Sequence, residues 1–403
     1  MIELTARELL LNLYHSAIDA VDGRLLVNRW LSENSGRFTH CVAIGKAAPA
    51  MLEGALDRLP GLQHSLLICP PEKISRSHKR NKKLTVLPAS HPLPDESSLA
   101  AGRALLDFVR TRQAGEHVLF LISGGSSAMV ELPVDSMDLE KLQQANRYLL
   151  ASGKDIARIN AWRQRFSKIK GGGLLNYLAA PATQLLLSDV RDDRIDIIGS
   201  GLLVPSALTP DEDVFLNALL PVGDQKPAIP DIQIETHVIG NLEMAKLAAA
   251  ESARTEGLPV TVYPEFIEGE ACDAAGYLYR QLIDAPAGVH IWGGETTVRL
   301  PDRPGVGGRN QTLALAFADK VRDVPDLHLL AAGTDGIDGN SRNAGGVVCH
   351  YTVQKAEGLG FDIQREIENA NAGIVLMATD DVVRVDNSPT NVMDIYIAYK
   401  CNE

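Results

Sequence analysis

Residues 307–311 (GGRNQ) combine two glycines with a guanidinium, a set of groups that can bind phosphate or carboxylate. The apolar periodicity of residues 310–320 predicts a helix, which places Arg309 and Asn310 at its amino-terminal end. Free backbone N–H groups and the positive end of the helix dipole favour an anion there. Gly307, Gly308, Arg309 and Asn310 are therefore a candidate phosphate site. A glycine-eased turn with surface charges is the alternative interpretation.

Glu295 lies just upstream, directly after the glycine pair 293–294. The apolar residues 290–292 are typical of the end of a buried strand, and residues 296–300 alternate like a second strand. Because glycine allows the chain to turn without a Cβ clash, we expect a β-hairpin closed by residues 301–305. Glu295, beside the expected turn, is a candidate substrate ligand.

Residues 118–127 (VLFLISGGSS) indicate a central parallel strand followed by a glycine- and serine-rich loop. Such a loop presents several N–H groups and two hydroxyls to an anion. Neither the Walker A spacing nor a G-x-S-x-G nucleophile elbow is present, which disfavours a serine hydrolase. The candidate phosphate-binding residues of this loop are Ser123, Gly124, Gly125, Ser126 and Ser127.

Gly45 and Lys46 follow another apolar run, residues 39–44 (THCVAI), and precede the helical residues 49–59. A lysine at the carboxyl end of a buried strand lies where open α/β sheets bind ligands, and its ammonium can neutralise phosphate oxygens. Lys46 is thus a candidate catalytic cation, with a lysine that caps a loop as the alternative.

Other polar residues occur in conspicuous settings. His91 lies in a proline-fixed loop, where it can bind or relay a proton, although a structural histidine is the alternative. Residues 156–175 gather five cations around three glycines, including Arg163 and Lys170, and such a cluster suits an anion pocket or a solvated helix face.

Aspartates follow two predicted strands. Asp189 comes after residues 183–188 (TQLLLS), and Asp335 and Asp338 lie in the loop GTDGIDG at residues 333–339. Carboxylates at strand ends beside phosphate loops are typical Mg²⁺ ligands, so these three are the candidate metal ligands. A helix cap is the alternative for Asp189.

The composition is that of a globular protein with two domains. A chain of 403 residues exceeds the size at which one core usually keeps growing. Five prolines fall within residues 204–231, so we place the boundary there and predict domains 1–228 and 229–403. Alternating strands and helices predict two three-layer α/β/α domains, the first Rossmann-like with a mostly parallel sheet and the second with a mixed sheet.

Charge and cysteine usage limit the partners. Thirty-nine basic against 51 acidic residues give a formal charge of −12, which argues against nucleic-acid binding through a general basic field. The five scattered cysteines form no metal-binding spacing and are expected to be reduced and mostly buried. We expect an amphipathic first helix capped by Thr5, no membrane segment and a cytoplasmic protein.

These stretches, taken in order, resemble the glycerate 2-kinase family, whose members join a glycerate-kinase amino-terminal domain to a MOFRL domain. The resemblance covers nearly the whole chain. The matching stretches are residues 44–51 (IGKAAPAM), 91–96 (HPLPDE), 122–128 (ISGGSSA), 159–160 (IN), 167–172 (SKIKGG), 187–190 (LSDV), 200–201 (SG), 293–298 (GGETTV), 307–311 (GGRNQ), 333–339 (GTDGIDG) and 390–392 (TNV).

The resemblance implies ATP-dependent phosphorylation of the 2-hydroxyl of D-glycerate, with Mg²⁺, in a cleft between two α/β domains. Lys46 and Arg309 match the residues regarded as catalytic in the family. Asn391 falls in the loop that matches a family substrate loop and is a further candidate substrate ligand. The expected partners are a small hydroxy acid and a nucleotide; the oligomeric state stays open, with a homodimer as one alternative.

The chain also departs from the family pattern. The departures include Arg158, Gln164, Arg165, Leu202 and Arg342. Another small hydroxy acid or a sugar acid is therefore an alternative acceptor, and a non-catalytic metabolite-binding protein is an alternative class. A nicotinamide-dependent hydroxypyruvate reductase is disfavoured because no G-x-G-x-x-G turn is present.

Overall fold

The computed structural model describes residues 5–34, 36–220, 228–230 and 234–401. Its helices are α1 Ala6–Ala20, α2 Gly23–Asn34, α3 Ala48–Arg58, α4 Arg76–Arg80, α5 Glu96–Arg110, α6 Ser126–Met129, α7 Leu139–Ala151, α8 Ile156–Phe166, α9 Val214–Leu219, α10 Leu242–Thr255, α11 Ala271–Ile283, α12 Arg309–Lys320, α13 Tyr351–Gly358, α14 Ile363–Glu368 and α15 Ala372–Ala378. Its strands are β1 His40–Ile44, β2 His64–Cys69, β3 Leu84–Pro88, β4 Val118–Ile122, β5 Ala182–Leu187, β6 Glu235–Gly240, β7 Val260–Glu270, β8 Gly288–Thr297, β9 Leu327–Gly333, β10 Gly345–Cys349, β11 Val382–Val383 and β12 Asp394–Lys400.

The chain forms two compact units. The amino-terminal unit is Gly23–Gly240, and the carboxy-terminal unit is Asn241–Glu403 together with Met1–Asp22. Strand β6, expected to begin the second domain, instead pairs in parallel with β5 in the first sheet. Much of the proline-rich stretch, residues 221–227 and 231–233, lies outside the described residues, so the boundary at 228/229 stays a prediction.

Helix α1 belongs to the carboxy-terminal unit, where it packs against α10 and β12. The predicted capping box is present: the Glu8 amide donates to Thr5 Oγ1 at 3.2 Å, and the Thr5 amide donates to Glu8 Oε2 at 2.9 Å. The buried face of the helix includes Tyr14, whose hydroxyl donates to the carbonyl of Gly333 at 2.6 Å. Because a buried hydroxyl needs a hydrogen-bond partner, this bond fixes α1 against Gly333, which lies far along the chain.

The sheet of the amino-terminal unit is entirely parallel, in the order β3-β2-β1-β4-β5-β6. Every residue of β1, β4 and β5 is buried, and successive residues of a strand face opposite sides, so both faces of this sheet are covered. The predicted Rossmann-like fold is confirmed. The chain reverses its direction of progress between β1 and β4, and such a switch point is where open α/β sheets bind ligands.

The sheet of the carboxy-terminal unit is mixed, in the order β11-β10-β9-β12-β8-β7. Strands β7 and β8 are parallel, and the remaining neighbours are antiparallel. The mixed sheet was predicted, whereas β10 was not. Among the antiparallel pairs of this sheet, β9 and β10 are the two strands that lie closest together in the sequence.

The hairpin expected at residues 292–305 is absent, and that prediction was wrong. Strand β8 runs without interruption through Gly293 and Gly294 to Thr297. An added Cβ at Gly293 would lie 2.5 Å from Leu242 Cδ2, and one at Gly294 would lie 2.0 Å from the carbonyl oxygen of Ile267. The glycines therefore permit close packing of a helix and a neighbouring strand rather than a turn.

Candidate active site

Two loops meet at the carboxyl ends of β1 and β4. The Ser123 amide donates to the carbonyl of Ile44 at 3.0 Å, and the Lys46 amide donates to the carbonyl of Gly124 at 2.9 Å. The Ala47 amide donates to Ser123 Oγ at 3.1 Å. The two loops predicted separately to bind phosphate are thus joined by hydrogen bonds at the switch point of the sheet.

Two glycines allow these loops to approach each other. Gly45 has φ of +124°, and an added Cβ there would lie 2.3 Å from Ser123 Oγ, so no larger residue fits. An added Cβ at Gly125 would lie 3.2 Å from His91 Cδ2 and 3.4 Å from Lys46 Cγ. The side chains of His91 and Lys46 therefore both lie against the glycine-serine loop.

The serines of this loop contact a third motif. Ser127 Oγ lies 2.5 Å from Ser200 Oγ, which donates to Asn160 Oδ1 at 2.8 Å. An added Cβ at Gly199 would lie 2.6 Å from Ser126 Oγ. Stretches far apart in the sequence, residues 122–128, Asn160 and Ser200, thus converge in the amino-terminal unit.

Gln164, one of the departures from the family pattern, has a structural explanation. Its side-chain amide donates to the carbonyls of Asp196 at 3.2 Å and Ser200 at 3.3 Å. The Gly171 amide donates to the same Ser200 carbonyl at 2.9 Å. An amide at this buried position satisfies backbone acceptors without the desolvation cost of a cation.

The other departures lie away from these hydrogen bonds. Arg158 is exposed and pairs with acidic side chains. The guanidinium of Arg165 lies 5.4 Å from the ring centroid of Trp162, and Leu202 belongs to the hydrophobic core. Arg342 is exposed. Their positions explain how the fold tolerates them.

Lys170 forms a buried ion pair with Glu131, a residue that sequence reasoning missed. The side chains are 2% and 1% exposed, respectively. Burial lowers the pKa of Lys170, although Glu131 favours the charged form. Arg163 lies nearby, with Nε donating to Asn146 Oδ1 at 3.2 Å, and burial lowers the pKa of its guanidinium as well. The ion pair occupies Lys170, so its role as a substrate ligand stays a prediction.

Asp189 lies at the same edge of the sheet. It is the second residue after β5 and is partly exposed. The preceding Ser188 donates its amide to the carbonyl of Gly240 at 2.9 Å, which fixes the chain at this point. Because β5 neighbours β4, Asp189 lies at the carboxyl edge that also carries the glycine-serine loop.

The amino-terminal end of α12 holds a carboxylate from the same unit. The amides of Asn310 and Gln311 donate to Asp338 Oδ1 and Oδ2 at 3.1 and 2.8 Å, respectively. An added Cβ at Gly308 would lie 2.3 Å from Asp338 Oδ1. At the helix end where an anion site was predicted, these amides bind the carboxylate of Asp338. Asn310 as a phosphate ligand and Asp338 as a metal ligand stay predictions.

Asp338 gives the protein a pH-dependent stability. Burial raises its pKa to about 7, against the two backbone amides, which favour the charged form. An unfolded aspartate titrates near pH 3.9, so between about pH 4 and pH 7 the folded state binds more protons, and the free energy of unfolding falls as pH rises.

We expect Asp338→Asn, which carries no titrating group, to lack this loss of stability. The difference should reach a few kcal/mol, because each pKa unit corresponds to about 1.4 kcal/mol. Urea unfolding of both proteins at about pH 5 and pH 8 measures it. Parallel pH dependence of the two proteins would contradict the expectation.

Arg309 is held by two carboxylates. Its Nε and Nη2 donate to the carboxylate of Asp394 at 2.6 and 3.0 Å, and its Nη1 lies 3.0 Å from Glu295 Oε1. Although burial disfavours the charged guanidinium, Asp394 and Glu295 raise the pKa of Arg309 above its ordinary value. Asp394 did not appear among the predicted site residues.

The loop that carries Asp335 docks against the loop that carries Asn391. The Val392 amide donates to Thr334 Oγ1 at 2.8 Å, and Thr334 Oγ1 donates to the carbonyl of Met393 at 2.7 Å. Asn391 is buried in this arrangement. An added Cβ at Gly333 would lie 3.3 Å from Asp394 Oδ1 and 3.4 Å from Asp335 Oδ1. The two carboxylates therefore flank the same glycine.

The remaining glycine of the GGRNQ motif, Gly307, fixes the loop before α12. It has φ of +144°, and its amide donates to Asn340 Oδ1 at 2.8 Å. An added Cβ at Gly339 would lie 2.2 Å from the Gly307 carbonyl oxygen. The motifs at residues 307–311 and 333–339 thus pack backbone to backbone.

Two clusters result, one in each unit. The first contains Lys46, His91 and the glycine-serine loop. The second contains Arg309, Glu295, Asn310, Asp335 and Asp338. Within the described residues, no group of three or more His, Cys, Asp or Glu side chains is arranged to hold a metal ion. No helix in that part of the chain is long and apolar enough to span a bilayer.

Comparisons with known proteins match this architecture. The family described as Domain of unknown function (DUF4147) matches residues 9–219, and the MOFRL family matches residues 288–394. The D-glycerate 2-kinase of Thermotoga maritima is 31% identical over 378 residues, which cover 88% of this chain and 89% of that protein. The crystal structure of glycerate kinase from Thermotoga maritima has a TM-score of 0.84 and 28% identity, over 98% of this chain and 99% of that one. A protein of Agrobacterium vitis provisionally named a hydroxypyruvate reductase is 32% identical over 343 residues, which cover 78% of this chain and 87% of that protein.

Proposed function

The chain belongs to the glycerate 2-kinase family, and from this premise we propose that it transfers the terminal phosphoryl group of ATP to the 2-hydroxyl of D-glycerate, giving 2-phosphoglycerate and ADP. The observation that supports the proposal most directly is the position of Lys46, whose side chain lies against the glycine-serine loop at the switch point of a parallel sheet. A phosphate chain needs a cation beside backbone N–H groups, and this edge of the sheet offers both.

The chemistry asks the protein mainly for positioning and charge. The glycerate 2-hydroxyl oxygen forms a bond to the γ-phosphorus while the bond to the ADP oxygen breaks, and the hydroxyl proton is released. We assign Lys46 and Arg309 to the charge on the transferring group. We assign His91, Arg163, Lys170 and Asn391 to the acceptor, and residues 123–127 with Gly45, Gly307, Gly308 and Asn310 to the phosphates.

Mg²⁺ would neutralise the nucleotide phosphates. Asp189 and Asp335 suit this cation, because carboxylate oxygens are the ligands it prefers and because kinases usually hold it through one or two carboxylates together with phosphate oxygens and water. Asp335 flanks Gly333 with a second carboxylate, Asp394.

We expect Asp189→Asn and Asp335→Asn to raise the Mg²⁺ concentration required for half-maximal activity, because each variant loses one formal charge. A magnesium titration of the initial rate measures the shift, with Asp380→Asn, an exposed aspartate, as the matched control. Full activity in excess chelator would contradict a role for the metal.

The acceptor is tested by measuring ADP release over a panel of small hydroxy acids and sugar acids, with ³¹P NMR to locate the new phosphoester. We expect the highest kcat/KM for D-glycerate and a phosphoester at its 2-oxygen. Faster turnover of another acid would identify that acid as the substrate, and the protein would still be a kinase of small hydroxy acids. ATP binding without turnover of any acid would favour a metabolite-binding protein.

A hydroxypyruvate reductase is the second candidate, because two relatives from Agrobacterium vitis carry that provisional name. The turn after β1 reads Gly45-Lys46-Ala47-Ala48, without the glycines that bring a dinucleotide close to the backbone. Absence of NADH oxidation with hydroxypyruvate would reject this alternative. A homodimer and a cytoplasmic location, the latter supported by five free cysteines, are further proposals.

A further inference from the structure

The two carboxylates on Arg309 differ in kind. The Asp394 side chain is 1% exposed and that of Glu295 is 46% exposed. Asp394 engages Nε and Nη2 along one edge of the guanidinium, whereas Glu295 engages Nη1. One partner is therefore sealed inside the unit and the other faces solvent.

The backbone fixes Asp394. It begins β12 and pairs with Gly294 of β8 on one side and with Gly333 of β9 on the other. Its carboxylate lies where an added Cβ at Gly333 would come within 3.3 Å, so the glycine makes room for it. Separating this pair would leave a buried charge without compensation, which is strongly unfavourable.

The ion pair between Glu295 and Arg309 is weaker than the pair between Asp394 and Arg309. An ion pair between a partly exposed glutamate and an arginine is worth only about 0–1 kcal/mol, because water competes for both groups. Glu295 lies one residue beyond Gly294 on β8, and it meets the guanidinium nitrogen that Asp394 does not engage. An arriving phosphate or carboxylate oxygen can take its place on Nη1 while Asp394 keeps the other two nitrogens.

The charges around Arg309 also favour displacement of Glu295 by an anion. Arg309 is surrounded by Asp394 and Glu295, with Asp338 also close enough to Asp394 and Arg309 to interact electrostatically. An anion that approached this group with Glu295 in place would meet more negative than positive charge. Removal of the exposed carboxylate from the guanidinium relieves that repulsion.

We propose that Asp394 is a positioning residue that orients Arg309, and that Glu295 is an exchangeable counter-ion that an anionic ligand displaces from Arg309. The inference rests on the proposed function for the assignment of Arg309 to an anionic ligand. Under this inference Glu295 is not a substrate ligand. It competes with the anionic ligand for the guanidinium of Arg309.

The first test is Glu295→Gln, which keeps the size of the side chain and removes its charge. We expect the affinity for MgATP or inorganic phosphate, measured by calorimetry, to rise about two- to five-fold, because a surface pair worth up to about 1 kcal/mol no longer has to be broken. Unchanged or weaker binding of both ligands would overturn the competitor role.

The second test is a double-mutant cycle with Asp394→Asn and Arg309→Lys. If Asp394 acts through Arg309, its replacement should lower kcat about ten- to 100-fold in the native background and have little further effect once Arg309 is lysine. Losses that multiply would overturn the positioning role. Thermal unfolding of each variant identifies any that fail to fold, and Glu295→Gln, at an exposed position, provides an arm that does not depend on Asp394.

The calorimetry separates this inference from the proposed function. Tighter anion binding by Glu295→Gln supports the counter-ion role even if no hydroxy acid is phosphorylated. Unchanged or weaker binding overturns it even if the protein is an active glycerate kinase. A native protein that binds neither MgATP nor phosphate would overturn it as well.

Discussion

Lys46→Ala should lower kcat about 100- to 1,000-fold and leave the fold intact. The magnitude is that of removing one pre-organised group from the charge that develops in a transition state. The backbone of Lys46 is fixed by its amide, which donates to the Gly124 carbonyl at 2.9 Å, and the substitution keeps that bond. The side chain is only partly buried, so we expect the free energy of unfolding to change by less than about 0.5 kcal/mol.

The measurement is steady-state kinetics beside thermal unfolding. Lys355→Ala is the matched control, because Lys355 is an exposed lysine on α13. An unchanged kcat for Lys46→Ala would make Lys46 a structural loop residue, the alternative that the sequence left open. If the melting temperature fell together with kcat, the loss of activity could be explained by loss of the fold, which would also argue against a direct role in transfer.

Arg309→Lys should lower kcat by about one to three orders of magnitude, with a much smaller change in nucleotide affinity. Lysine keeps the charge but has a single nitrogen, whereas Arg309 uses Nε and Nη2 on Asp394 and Nη1 on Glu295 at the same time. The planar group that would meet the transferring phosphoryl oxygens is lost. Kinetics and direct ATP binding of the variant separate the two effects.

Arg322→Lys is the control for this substitution. Arg322 also pairs with a carboxylate, Glu357 at 2.6 Å, but it lies past the opposite end of α12, about 20 Å along the helix axis. The Arg322→Lys variant should retain full activity. Weak nucleotide binding by Arg309→Lys with kcat preserved would assign Arg309 to ground-state binding.

The central strands and the loops that follow them could be predicted from the sequence. A run such as residues 118–122 is apolar at every position because both faces of β4 are covered, and the glycines after it announce the end of the strand. Parallel strands bring their carboxyl ends to one edge, so the convergence of Lys46 with the glycine-serine loop follows from local patterns.

The pair Gly293 and Gly294 was misread because a glycine permits two things, a turn and a close approach. The distinction lies in the neighbours, the Leu242 side chain and the carbonyl of Ile267, which lie 51 positions before Gly293 and 27 positions before Gly294 in the sequence. Local sequence carries no sign of either. Strand β8 therefore runs straight where the pattern favoured a hairpin.

The residues that hold two of the candidate site residues, Arg309 and Lys170, were also missed. Asp394 is separated from Arg309 by 85 positions. Glu131 is separated from Lys170 by 39 positions. An acidic residue at the start of the apolar run 394–399 was the only available signal for Asp394, because a buried carboxylate requires a cationic partner. The identity of that cationic partner depends on the order of the strands in the sheet.

That order has a consequence for synthesis on the ribosome. Strand β12 lies between β9 and β8 in the middle of its sheet, yet it follows both of them in the sequence. The sheet cannot close, and Arg309 cannot meet Asp394, until β12 has left the exit tunnel. Helix α1 packs against α10 and β12, and both are synthesised after the whole amino-terminal unit, so α1 must wait for them. We therefore expect that unit to fold first, and Arg309 to pair with Asp394 only after β12 has emerged.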